Sequence, residues 1–465
     1  MTTELRVRAA QALGRDRVRA NIRRAMDGLI DKRRAAFPDT EELERLRDQG
    51  KAIRDHALAK LPALLEQLEQ NCTANGIRVH WAQDADAANG IILDIIRRHG
   101  GTAIIKGKSM VSEEIGLNRF LEEKGVEPIE TDLGELIIQL AQEHPSHIVA
   151  PAVHKDRREI AELFNRHYPD EPYSEDIERL TAMARRVMRE RFKATKIGLS
   201  GVNFAVAETG TLCLIENEGN GRLSTTAPDV HIAVTGIEKV VARLEHLAPL
   251  LTLLTRSATG QPITTYVNMI SGPRKPEELD GPHEVHLVLL DNGRSRIHAD
   301  PELRATLRCI RCAACMNHCP VYVRIGGHGY GTVYPGPIGA ILEPQLQGLA
   351  RQGELAQAST LCGACAAVCP VRIPIPQLLN RLRFEQAQAG RKDAGAGAWM
   401  ERHLWRLWAW IYASPARYER FMGLVTSLGW LAKISVGPWA RTRTAPRIAK
   451  RSLHDLAREE GLSND

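Results

Sequence analysis

Seven of the nine cysteines in this 465-residue chain lie between positions 309 and 369, in two runs. The first reads Cys309-x2-Cys312-x2-Cys315-x3-Cys319-Pro320, and the second Cys362-x2-Cys365-x3-Cys369-Pro370. An odd number of clustered cysteines argues for metal rather than disulfides. Closely spaced thiolates on a short turn can reach three irons of one cubane, and the fourth ligand must come from elsewhere in the chain. The proline after each last cysteine keeps the ligand loop from running on as helix. Crossing the runs assigns Cys309, Cys312, Cys315 and Cys369 to one cluster. The other receives Cys319, Cys362 and Cys365 and is one cysteine short, because Ser359 stands where a first cysteine would be. The expectation is two [4Fe–4S] clusters. The second carries a non-cysteine ligand or an open iron, or is a [3Fe–4S] cluster. Cys-x2-Cys also suits zinc, but zinc sites pair two such knuckles into one tetrahedron, which a four-cysteine run ending in proline serves poorly.

Elements must hold these turns. Between the runs lie Gly326-Gly327-His328-Gly329-Tyr330-Gly331 and Tyr334-Pro335-Gly336-Pro337-Ile338-Gly339. Glycine lets backbone pass close to a cluster where a side chain would collide. A nucleotide loop would need a following Lys-Ser/Thr in a strand–helix context, which is missing here. Helical spacing returns at Ile338, Ile341 and Leu342 and at Leu378, Leu379 and Leu382, so this module reads as short helices joined by ligand turns.

Residues 1–70 carry 15 basic and 12 acidic residues. Apolar positions at Ile22, Met26, Leu29 and Ile30, and at Ile53, Ala57, Leu61, Leu64 and Leu68, predict helices packed on the main domain or on a partner. From about 75 to 295 the pattern alternates. Short β-like runs occur at Ile77–His80, Ala103–Ile105, His147–Ala150, Phe204–Ala207, Leu212–Ile215, His231–Thr235, Tyr266–Ile270 and Val285–Leu290. Helical stretches include Ala88–Arg98, Gly134–Glu143 and Ser174–Phe192. In the last, Ser174 is the expected N-cap, and Ile177, Leu180, Ala184, Val187 and Met188 the expected buried stripe. Alternation of this kind predicts an α/β domain on a largely parallel sheet.

Parallel sheets bind ligands beyond the carboxyl ends of their strands. That singles out Lys106-Gly107-Lys108-Ser109, whose two lysines could hold a carboxylate or phosphate, and Glu208-Thr209-Gly210-Thr211, where Glu208 could move a proton. Lys106, Lys108 and Glu208 are the candidate catalytic residues. Gly219-Asn220-Gly221-Arg222 and Ser271-Gly272-Pro273-Arg274 are further loop candidates, though each of these segments also reads as a plain turn. No Ser/His/Asp triad, histidine metal pair or dinucleotide fingerprint is readable in this region. Cys213, in an apolar run, reads as a buried structural thiol.

Lysine and arginine total 62 against 56 acidic residues, a balance too even to imply nucleic-acid binding. All of the excess lies in residues 391–465, with 13 basic and 7 acidic side chains. Six of the seven tryptophans are there too: Trp399, Trp405, Trp408, Trp410, Trp430 and Trp439. They are mixed with Arg402, Arg406, Arg417, Lys433, Arg441 and Arg443. This region reads as a helical cap over the cluster module, with partner docking and then membrane contact as alternatives. Lys450–Asp465 reads as a loose tail. A composition of 43% hydrophobic and 25% charged residues excludes a disordered or collagen-like chain. Charges at Glu4, Arg6 and Arg8 break any signal-peptide core, and the nearest apolar stretch, Phe421–Ala432, is too short for a transmembrane segment. The expected location is cytoplasmic, or peripheral to the inner face of the membrane.

Taken together, these residues resemble the lactate utilization protein B family of bacterial iron–sulfur proteins. The likeness runs through Lys106–Ser109, Glu208–Thr211, Ser271–Arg274, both cysteine runs and the Trp-rich tail. Many alpha-helical ferredoxins share the cysteine runs; the sheet-domain motifs ahead of them make the likeness specific. It implies an N-terminal helical segment (1–70) and a lactate-utilization-type parallel-sheet α/β domain (71–295), similar to the sugar-isomerase and CoA-transferase-like fold. An alpha-helical ferredoxin domain with two [4Fe–4S] clusters (296–388) and a helical C-terminal extension (389–465) would follow. The resemblance further implies a non-catalytic electron-transfer component in a multi-protein system oxidising L-lactate to pyruvate. Two companions would act with it, one cysteine-rich and one a second sheet-domain protein. The Trp-rich tail, not the resemblance, leaves room for a quinone or other membrane-side acceptor. Two other readings stay open. The α/β domain could itself be the catalytic site of a 2-hydroxy-acid oxidoreductase, or the protein could be a redox-sensing regulator.

Overall fold

Among the described residues, ten strands build two sheets: β1 (Ile77–Ala82), β2 (Ala103–Lys106), β3 (Glu127–Glu130), β4 (Ile197–Gly201), β5 (Phe204–Val206), β6 (Thr211–Glu216), β7 (Val230–Gly236), β8 (Val240–Val241), β9 (Tyr266–Ile270) and β10 (Glu284–Leu290). The structure is a computed structural model that describes residues 4–390, 396–428 and 448–462. The larger sheet runs β1-β10-β7-β4-β2-β3 and is parallel throughout. Its central strands β7 and β10 are almost wholly buried, because helices cover both faces. Ile92, Ile95 and Ile96 of helix Ala85–Arg98 pack on one face. Leu61, Leu64, Leu65 and Leu68 of helix Leu61–Ala74 pack on the other, against Ala233 and Leu287. The smaller sheet runs β8-β5-β6-β9, with β6 antiparallel to both of its neighbours.

Seven of the eight expected strands form. His147–Ala150 does not: it is an irregular bend in which His147 Nδ1 accepts from the Val149 and Ala150 N–H groups at 3.1 and 3.0 Å. A side chain thus takes the donors that a neighbouring strand would need. Strands β3, β4 and β8 escaped the sequence reading, being short and, in β4, interrupted by Gly198 and Ser200. The helix expected from Ser174 starts instead at Ile177, with Asp176 as N-cap accepting from Arg179 N at 2.9 Å. Ile177 therefore sits in the first turn and is 66% exposed, while Leu180, Met183, Ala184 and Met188 form the buried stripe.

The N-terminal helices Asp16–Ala36 and Thr40–Ala59 are part of the cluster module's core. Ile22, Met26, Ile53 and Leu58 share one apolar core with Tyr322, Ile338, Ile341, Leu378 and Leu382. By contacts the chain divides into Met1–Gln386 and Ala387–Asp465. The second unit holds helices Ala396–Tyr412, Pro415–Ser427 and Leu453–Glu459. Its Trp399, Trp405, Trp408 and Trp410 stay about half exposed or more. Their ring partners are close along the chain: Trp408 stacks on Tyr412 at 4.2 Å, and Arg417 lies over Trp410 at 4.4 Å. Trp430, Trp439, Lys433, Arg441 and Arg443 fall outside the described residues. The segment expected to be loose contains the helix Leu453–Glu459, started by a Ser452/Asp455 capping box. No described helix is long and apolar enough to cross a membrane.

Candidate metal centre and the adjoining cavity

A 3-10 turn, Leu303–Arg308, delivers Cys309. Arg311 and Ala313 then adopt positive φ of 61° and 60°, winding the first run around a small apolar chamber. Cys309, Cys312, Cys315 and Cys369 all line it, with Ile148, Ile338 and Ile373. Cys319 caps the helix Pro320–Tyr330 and lies beside Cys362 and Cys365 of the second run. Backbone N–H groups point at the sulfurs: Arg311 N donates to Cys309 Sγ at 3.4 Å, Tyr322 N to Cys319 Sγ at 3.4 Å, and Ile373 N to Cys369 Sγ at 3.3 Å.

Burial pushes the Cys312 thiol up to about 12 and Cys365 to about 11, and raises Cys315, Cys319 and Cys369 as well. Such thiols give up their protons when a metal takes their place. Cys362 is exposed, and hydrogen bonds from Ala364 N–H and the Thr360 hydroxyl lower it. Ser359 Oγ accepts from Leu361 N at 3.1 Å, a bond within its own loop.

Sulfur spacing separates the metals. Tetrahedral zinc, with Zn–S of about 2.3 Å, draws its sulfurs to within ~3.8 Å of one another. Among the described residues, no three cysteine sulfurs come within 4.8 Å of each other; thiolates around the corners of an iron–sulfur cube stand farther apart. The Tyr330 hydroxyl adds a second observation. It is fully buried beside Cys319, and its hydrogen bond toward that sulfur favours the thiolate form that a metal ligand must take. The residues fit iron–sulfur clusters.

The surroundings of the first cysteine set are cationic, which sequence reasoning missed. Arg47 donates to Cys369 O at 3.0 Å and Ala366 O at 3.1 Å. Arg54, fully buried, donates to Val240 O at 2.9 Å, Leu307 O at 3.0 Å and Glu238 O. Arg311 sits 4.5 Å above the Tyr334 ring and 3.5 Å from Glu238. Burial opposes ionisation of Glu238, but Arg294 at 2.6 Å, with Lys239 and Arg311, overrides it and holds the carboxyl down to about 2. Arg294 also pairs with Glu114 at 2.8 Å, and Glu114 accepts from Tyr334 OH at 2.8 Å. Lys239 is pushed down to about 7 by burial, then by Arg311. One signal was legible: Arg47 and Arg54 share a helical stripe with Gly50 and Ala57, so charges stood on an apolar face.

The three candidate catalytic residues do not converge. Lys106 is 1% exposed and held by Glu130 at 2.6 Å, Glu113 at 2.8 Å and Ser112 at 2.9 Å. Its charge is neutralised inside the fold. Glu208 lies in a separate groove with His56 and His246, where it accepts from Leu244 N at 3.0 Å. Lys108 alone reaches a cavity of about 410 Å³, together with Asp132, Asn203, Glu218, Lys239 and Arg311. Of the further loop candidates, Asn220 and Gly221 line that cavity.

Residues 65–290 match the LUD domain family, residues 305–373 a 4Fe-4S dicluster domain, and residues 381–462 the C-terminal family of lactate utilisation protein B. The dicluster match spans all seven clustered cysteines, so the module binds iron–sulfur clusters. The Bacillus subtilis protein named lactate utilization protein B is 43% identical over 82% of this chain and 80% of its own. Its namesake from an Exiguobacterium species is 40% identical over 96% and 95%. An Escherichia coli protein named as an uncharacterized electron transport protein, YkgF, is 44% identical over 83% and 81%.

Proposed function

The chain belongs to the lactate utilization protein B family, and we propose that it is the iron–sulfur electron carrier of a multi-protein system oxidising L-lactate to pyruvate. The observation that carries the reading is the grouping of Cys309, Cys312, Cys315 and Cys369 around one chamber, with Cys319, Cys362 and Cys365 beside it. The first four would hold one [4Fe–4S] cluster. The other three would hold a second, completed by a non-cysteine ligand or reduced to [3Fe–4S]. Clusters of this kind supply one-electron transfer.

The chain's own residues set the conditions. N–H groups of Arg311, Tyr322 and Ile373 hydrogen-bond the sulfurs and favour their anionic form. Arg47, Arg54 and Arg311 offset the negative charge that four thiolates bring into a buried site. Buried Cys312 and Cys369 keep water from the first set, while exposed Cys362 leaves the second open to another protein's surface. Lactate oxidation releases two electrons and two protons, and Lys106 and Glu208 are not placed to receive them together. The first acceptor then belongs to a companion: one cysteine-rich protein and one with a second sheet domain, delivering to a quinone or other membrane-side acceptor.

Anaerobically purified protein should contain about eight irons, or about seven with a three-iron EPR signal. With both companions present, lactate should reduce its clusters as fast as pyruvate forms. Clusters that stay oxidised while pyruvate accumulates would overturn the carrier role.

A further inference from the structure

The 410 Å³ cavity has the size of a small-molecule site and a telling position. After β2 the chain runs outward to edge strand β3; after β4 it returns the other way, to β7. Strands β2 and β4 are neighbours, so the loops behind them diverge at a topological switch point, where open parallel sheets receive ligands. Gly107 and Lys108 from the first loop and Val202 and Asn203 from the second line the cavity.

Its chemistry is equally specific. Lys239 is 6% exposed, lines the cavity, and makes no hydrogen bond or ion pair among the described residues. Arg311 lines both this cavity and the chamber of Cys309, and its Nη1 is buried without an acceptor. Glu238 answers one side of Arg311 at 3.5 Å, which leaves Arg311 Nη1 and the Lys239 ammonium with donors that a further anion would satisfy. Of the nearby acids, Glu238 is shared with Arg294 at 2.6 Å, Asp132 accepts from Glu135 N at 3.1 Å, and Glu216 accepts from Gly221 N and Arg222 N at 2.7 and 2.6 Å. Glu218 remains in the lining, a carboxyl able to meet a hydroxyl donor.

We infer that this cavity binds the carboxylate of a small 2-hydroxy or 2-oxo acid at Lys239 and Arg311, directly behind the Cys309 cluster site. The inference rests on the reading that the cysteine sets hold clusters, and it concerns binding, with no bond made or broken in the cavity. A carboxylate here neutralises cations that otherwise stabilise the reduced cluster. Oxidised protein therefore binds the acid more tightly than reduced protein, and the acid in turn lowers the cluster's midpoint potential.

The test uses iron-loaded full-length chain, with calorimetric titration of pyruvate and L-lactate and an EPR-monitored midpoint for each cluster. The expected result is saturable binding of at least one acid, about tenfold weaker to reduced protein. For a one-electron couple this is a shift of about 59 mV, confined to one cluster. Lys239→Gln should abolish both binding and shift while retaining its iron. Absence of heat and shift in the wild-type chain would overturn the inference, as would a shift that survives in Lys239→Gln or is matched by chloride or sulfate. If the variant loses iron, the wild-type titration decides alone. Iron content and unliganded EPR report the clusters independently, so failure of the carboxylate site is distinguishable from failure of the carrier reading.

Discussion

At the scale of single residues, buried charge and buried histidine decide how this protein responds to its surroundings. Arg47 and Arg54 are tolerated inside because their guanidinium groups find backbone carbonyls, which removes much of the desolvation cost. His231, the second residue of β7, is fully buried; its Nε2 meets Ser200 Oγ at 2.8 Å and its Nδ1 has no partner among the described residues. Burial, then the neighbouring His286, lowers it from 6.5 to about 3. Its folded-state value lies below its unfolded one, so the unfolded chain takes up the proton first as pH falls. The stability tied to its neutral form is whole above about 6.5 and is lost progressively down to about 3. Burial does the same to His147, lowered to about 4. Urea midpoints should thus be level above pH 7 and decline from 6.5 toward 4; a level profile across that range would contradict the assignment.

At the scale of elements, the glycine run between the cysteines has a different task from the one its position suggested. Its spacing predicted close passage by a cluster. Instead, a Cβ on Gly327 would fall 2.0 Å from the Ser146 carbonyl oxygen, where the helix Pro320–Tyr330 docks on the 146–150 bend. Gly326, at φ +64°, makes the kink that allows the approach. Tyr322 OH, donating to Ser146 O at 2.6 Å, secures the same junction. Gly327→Ala should cost about 1–3 kcal/mol by forcing the two backbones apart, read from chemical denaturation. Because Cys319 caps this helix, iron release to a chelator should be faster than from wild type. Unchanged stability and release would show that the junction yields without cost.

At the scale of the molecule, the cluster module is not self-sufficient. Its core is completed by Ile22, Met26 and Ile53 from the N-terminal helices, and by Leu250 and Leu253 from helix Leu247–Ala258. The same helices carry Arg33, Arg47 and Arg54 to the cysteines or their loops. Removing residues 1–36 should uncover this core, where each buried aliphatic side chain is worth about 1.5–3 kcal/mol. Iron retained per chain should fall by half or more. A truncated chain holding its full complement would show that the module closes without them.

The sequence alone determined what depends on local pattern. Cysteine types and spacing pointed to iron–sulfur chemistry because ligand turns are short and local. Alternating apolar runs predicted the parallel α/β domain because each strand must bury both faces. Isolated short strands such as β3 and β4, and a histidine that satisfies its own bend, defeat a periodicity reading. What only the tertiary structure decided depends on contacts distant along the chain. Arg47 meets Cys369, Lys106 is locked between Glu113 and Glu130, and Glu208 is removed from Lys108. Lys239 and Arg311, 72 positions apart in sequence, meet at the wall between a sheet-end cavity and the cysteines. No local pattern encodes such meetings, because they follow from how the sheet's connections reverse and which helices close over the core.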